Sequence, residues 1–229
     1  MLFAKTEEEL IEMVELLVEA FRTVGLELNA AKSKILTNAP IDHSYVDVTE
    51  NFVEIIDAGS YHKYLGRHIS GEFIFREMTE INHRIQVAWY RFGHHKQVLC
   101  NRNIGIHLRL KLFDAVITPT ILYGLATLPL SSVSLKKIDV VQRKMLRKIV
   151  GWVRLPNETW ETTMHRMKER VQSALQKYPV MQWRKRIAKY LWKYILRIKD
   201  VPSEAWIQKS SMWAPNESED ASSEYVPYR

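Results

Sequence analysis

Two short stretches carry side chains whose types and spacing suit work on phosphates. Asn29-Ala30-Ala31-Lys32-Ser33-Lys34 places two lysines on either side of a serine, directly after a turn. Tyr61-His62-Lys63-Tyr64-Leu65-Gly66-Arg67-His68 interleaves rings with cations, and its glycine lets backbone approach a ligand closely. Further along, Lys136, Lys137, Arg143, Lys144, Arg147 and Lys148 recur at spacings that share one arc of a helix. Such an arc, with an apolar face opposite, reads phosphates and duplex shape rather than base sequence. Metal chemistry is less well served. His94-His95 with Cys100 has no second pair, and adjacent helical residues point apart. Asp42, Asp47 and Asp57 lack a spacing that would make them convergent ligands.

The net charge of +7 over 229 residues hides a segregation. Residues 1–60 hold 4 Lys/Arg against 12 Asp/Glu, residues 61–199 hold 27 against 8, and residues 200–229 hold 2 against 6. Solvated faces normally mix signs, and the middle block hardly does. It would concentrate polyanions, so nucleic acid is the expected partner. The single cysteine rules out an internal disulfide and a Cys-x-x-Cys knuckle. Glu7 to Glu9 fall where a signal peptide needs an apolar run, and no uninterrupted apolar run approaches a membrane span. A soluble, intracellular chain without membrane contact is expected.

The elements that must position these residues follow from periodicity. Thr6 and Glu9 read as a capping box opening a helix striped by Leu10, Val14, Leu17, Phe21 and Val24 and stopped by Gly25. Leu26 to Leu28 is expected as a short strand, as are Tyr45–Val48 and Phe52–Ile56. Asp57-Ala58-Gly59-Ser60 is expected to turn the last of these into a hairpin with Tyr61–Gly66. Helical spacing begins near Phe75, with Met78, Ile81, Ile85, Trp89 and Phe92 on one stripe. The next helix should stop near Pro119, with Gly124 turning the chain, and Ser134 is expected to cap the basic helix. Two more helices flank Pro179; Trp183 and Trp192 are read as core. Beyond residue 199 periodicity is lost, and an acidic, disordered tail is expected.

In order and spacing, Gly25–Lys34 (GLELNAAKSK) and Tyr61–Ile69 (YHKYLGRHI) resemble the last palm blocks of non-LTR (LINE-type) retrotransposon reverse transcriptases. Pro119-x-x-Leu122-Tyr123-Gly124 and Gln142–Arg147 resemble that family's thumb. The resemblance implies an α+β fold: an incomplete palm (1–70), a helical thumb (71–151), a basic helical extension (152–199) and the acidic tail (200–229). It implies a pyrophosphate-side lysine, Lys32 first and Lys34 second, a primer grip at Tyr64, Leu65 and Gly66, and phosphate contacts from Lys63, Arg67 and the Lys136–Lys148 arc. The implied partners are an RNA template and an RNA–DNA or DNA duplex, with upstream palm and fingers as a further partner. The family's catalytic aspartates would lie before Met1, so Mg²⁺ belongs to the complete polymerase, and this chain alone is expected to hold no cofactor and to make no DNA. Two alternatives stand beside this reading: a non-enzymatic RNA/DNA-binding protein built on the thumb, and an unrelated basic helical interaction module.

Overall fold

A computed structural model describes residues 2–37, 42–48, 51–56, 60–70, 73–205 and 207–209. Helix α1, Glu7–Thr23, opens where the Thr6 hydroxyl accepts the Glu9 N–H at 3.2 Å. The Glu9 carboxylate turns back one residue further than a strict capping box and accepts the Lys5 N–H at 2.8 Å. The helix closes with the Leu26 N–H on the Phe21 carbonyl and the Gly25 N–H on that of Arg22, the paired bonds of a Schellman end.

The strand expected over Leu26–Leu28 does not form. Strand β3 (Asn51–Ile56) is central, parallel to β1 (Lys34–Leu36) and antiparallel to β2 (Tyr45–Val48), so both of its edges are taken. Leu26 is left more than half exposed, and the chain instead makes a 3-10 turn, Ala30–Lys32, capped by Asn29. The same occupancy corrects the expected hairpin. Tyr61–Tyr64 (β4) cannot pair with β3 and pairs with the strand that follows it, β5 (Arg67–Ser70). Asp57 to Gly59, expected as the turn, lie outside the described residues. Val46, Val48 and Ile55 form a small core under Ile11, Val14 and Ile35. The α1 stripe is only partly covered: Leu10, Val14, Leu17 and Phe21 are half-buried and Val24 is 68% exposed, while Val18 beside the stripe is buried and Leu16 stands in solvent.

The helical body is α2 (Phe73–His94), α3 (Lys96–Leu99), α4 (Ile106–Leu112), α5 (Thr118–Leu122), α6 (Ser132–Val150), α7 (Trp160–Lys177) and α8 (Trp183–Lys199). Pro119 does not stop its helix. A π turn, Phe113–Ile117, widens the ladder just before the proline, whose ring and missing N–H are then tolerated at the start of α5. Ser131, not Ser134, caps α6: its hydroxyl accepts the Ser134 N–H at 3.2 Å, and Ser134 is buried in the first turn. Thr159 caps α7.

The core of this body is large and shared by α2 through α8. Trp183 is fully buried against Phe113, with its indole N–H on the Thr118 hydroxyl at 2.9 Å. Gln142 holds the same corner, accepting the Trp183 N–H at 2.9 Å and donating to the Met181 carbonyl at 3.1 Å. Trp192, expected in the core, is 62% exposed. Nine residues after Trp183, it comes out about 180° round the helix, on the opposite side. Among the described residues one helical stretch, Ile106–Thr127, is long and apolar enough to cross a membrane by length and composition. Arg109, Lys111 and Asp114 interrupt that run in the sequence, and here Leu110, Phe113, Ile117, Ile121 and Leu125 bury its apolar side in the core.

Candidate nucleic-acid interface

The β4–β5 hairpin turns through Leu65 and Gly66, with φ of 47° and 78°. Two consecutive left-handed residues twist with the strands and give the tightest hairpin loop. Gly66 adopts that geometry freely; a leucine there carries about 1–3 kcal/mol of strain. The surroundings hold it in place. The Tyr123 hydroxyl donates to the Leu65 carbonyl at 2.9 Å, and the Arg84 guanidinium donates to the Gly66 carbonyl. Arg84 lies 4.7 Å over the Tyr123 ring and donates to Glu80 at 2.6 Å, while Glu80 accepts the His68 N–H at 2.7 Å.

Glu80 and Arg84 are 0% and 6% exposed. Charges so buried need one another, because an unpaired ion there costs several kcal/mol. Arg67 reaches the Thr127 hydroxyl at 2.7 Å and lies against Gly124, where a Cβ would stand 2.9 Å from its Cδ. So Tyr64-Leu65-Gly66 and Leu122-Tyr123-Gly124, some sixty residues apart in the chain, form one joint. Tyr61, His68 and His83 stack beside it, at centroid separations of 4.2 and 4.0 Å. Burial above all, then nearby cations, lowers both imidazoles below their ordinary pKa of 6.5.

The α6 arc is built as the sequence suggests. Lys136, Lys137, Arg143, Lys144 and Lys148 are exposed, and Arg147 is half-buried beside Met164. Asp139 is the only acid in the helix. The arc and the hairpin rest on the same two turns of α2: Lys137 donates to Asn82 and Glu77 accepts the Ser131 N–H, while Glu80 and Arg84 carry the hairpin. Leu65 and Tyr64 stand out at the tip, 74% and 42% exposed, and Tyr61, at the open end of the hairpin opposite Ser70, is 55% exposed.

Other cations of the basic block are engaged internally. Arg109 and Arg170 donate to the carbonyls of Ile149 and Val150, at the α6 C-terminus, where positive charge offsets the helix dipole. Arg166 chelates Glu158 and holds its carboxyl at about 2. Arg186 pairs with Asp114 at 3.0 Å. Lys34, in the small sheet, pairs with Glu54 directly across the β1–β3 register, whereas Lys32 is exposed on its turn. Lys34 and the hairpin belong to separate sheets, and Lys32 lies on the 3-10 turn before the first of them. Glu80 and Arg84 escape sequence reasoning, with only their spacing of four as a local signal, common to many helices, and nothing in the Leu122-Tyr123-Gly124 motif reveals that Tyr123 fastens the hairpin. Among the described residues no three His, Cys, Asp or Glu side chains gather as a metal site requires.

Over 164 residues, 71% of its length, the chain is 29% identical to an uncharacterized transposon-derived protein of Caenorhabditis elegans. It spans 57% of that relative, a little over half. No protein-family model and no solved structure matches.

Proposed function

We propose that this chain is transposon-derived and corresponds to the end of the palm and the thumb of a non-LTR reverse transcriptase, binding an RNA–DNA or DNA duplex through its phosphates. The observation that carries this is the joint between Leu65-Gly66 and Tyr123: two motifs read separately in the sequence meet there, on the α2 helix that also carries Lys137 of the exposed basic arc. The arc tracks a backbone, and the exposed Tyr64 and Leu65 with Lys63 meet the end of the strand. Arg67, turned toward Thr127, serves the joint first and phosphate second.

Strand extension in such a polymerase requires carboxylates converging on Mg²⁺, which clamps the attacking and leaving oxygens. In this reading the upstream palm supplies them, and this chain alone binds without polymerising. Lys32 is the lysine offered to the departing pyrophosphate, since the Lys34 ammonium is held by Glu54.

The test is a salt titration of affinity for an RNA–DNA hybrid. Binding should weaken linearly in log salt, by about 0.9 per phosphate neutralised, and K136Q/K144Q/K148Q should flatten that slope by about 2.7. Failure to bind near 50 mM salt, or a slope that the triple variant leaves unchanged, would sink the reading.

A further inference from the structure

The outer half of α8 continues an apolar stripe past the point where the fold covers it. Trp183 and Ile187 begin the stripe inside the core, at 0% and 5% exposure. Tyr190, Leu191, Tyr194 and Ile195 extend it along the same side and are 43%, 41%, 37% and 46% exposed. Lys189, Lys193 and Arg197 flank it, and α8 contains no acidic residue. Whatever covers this stripe has to bring apolar side chains together with negative charge.

A second copy laying its own α8 there would set seven cations against seven. Two helical turns also offer far less than the roughly 800 Å² per partner that a standard stable interface buries. A tethered segment needs much less, because a short linker holds it at an effective concentration of about millimolar. The chain carries a suitable segment close by. Residues 210–229 follow Lys209 and hold Glu217, Glu219, Asp220 and Glu224 against the lone Arg229, together with Met212, Trp213 and Tyr225. Twenty residues reach up to roughly 66 Å when extended, and the stripe is about 8 Å long.

We propose that residues 210–229 dock on the Tyr190–Ile195 stripe of the same chain, with Trp213 and its apolar neighbours over the stripe and the carboxylates against Lys193 and Arg197. The pairing needs no nucleic acid and does not depend on the preceding reading.

The experiment places a photoreactive benzophenone residue at position 195 of the full-length chain and maps its adducts by mass spectrometry. Monomeric adducts to residues 210–229 are expected, and a probe in place of Lys168, on the exposed side of α7, should give few. In the E217Q/E219Q/D220N/E224Q chain the yield should fall about fivefold, as loss of several weak exposed ion pairs implies. Dimeric adducts would assign the stripe to a second copy and overturn the proposal. So would adducts confined to other segments, tail adducts equal from position 168, or a yield that the neutralised tail leaves unchanged.

Discussion

The small sheet with α1 and the helical body are built to different standards. The first closes on a cluster of Val46, Val48 and Ile55, with Val18, Val53 and Ile56 also buried, and leaves Val24 of the α1 stripe in solvent. The second buries thirteen or more apolar side chains completely or nearly so and pairs much of its interior polarity through Trp183, Gln142, Thr118 and the Glu80–Arg84 pair, leaving the buried Ser134 hydroxyl without a partner among the described residues. Chain length does not explain this, since the α1 and α8 helices have the same 17 residues. The difference is in what each region has on its apolar side. One body carries its own stability, and the other gains little from burial.

Separating the two regions should give the largest effect. Residues 1–60 expressed alone should show no cooperative thermal transition and should associate through the Leu16 and Val24 side of α1; a sharp monomeric melt by circular dichroism would erase the contrast. Next comes Trp183→Ala, which removes the buried indole and the N–H that the Thr118 hydroxyl accepts, while Gln142 keeps its bond to the main-chain N–H of residue 183. Chemical denaturation of the whole chain should register a loss of about 3–5 kcal/mol. Val46→Ala in the small core should cost visibly less in the same assay, about 2 kcal/mol or below, because the site is shallow and its neighbours can relax.

Tyr123→Phe is the finer probe. It deletes the hydroxyl that holds the Leu65 carbonyl and keeps the ring over Gly66 and under Arg84. A loss of about 1 kcal/mol is expected, with faster amide exchange at Leu65 and Gly66 while α7 is unchanged. The smallest effect is a pH dependence confined to the hairpin. His68 and His83 have lowered pKa values, so the unfolded chain takes up protons before the folded hairpin does. Their contribution to stability is complete above about 6.5 and is lost as pH falls through the folded values. Amide protection in β4–β5 should therefore drop between about pH 7.5 and pH 5.5, with no matching change in β2–β3.

Local chemistry made part of this fold readable. Thr6 with Glu9 and the Gly25 stop bound α1 within one turn, and alternation marks β2 and β3. Partner choice was not readable, because nothing within Tyr61–Tyr64 says that both edges of β3 are already occupied. Pro119 misled in the same way: the π turn that accommodates it has no residue signature of its own. Periodicity identified the α8 stripe, but it does not tell where the body ends, so Trp192 emerges exposed. The exposed cations of α6 were legible as an arc. The joint behind the hairpin was not, since Glu80, Arg84 and Tyr123 converge only in three dimensions.

The turn at Leu65-Gly66 is fastened to two different elements, through Arg84 on α2 and Tyr123 just after α5. That makes it a lever. Sliding of the segment after α5 along α2 would be transmitted to the hairpin tip, because the two hydrogen bonds grip consecutive carbonyls of the turn and the left-handed leucine has little room to yield. In the proposed reading, a duplex pressing on the α6 arc, whose Lys137 rests on α2, would then be felt at Leu65 as a change of angle.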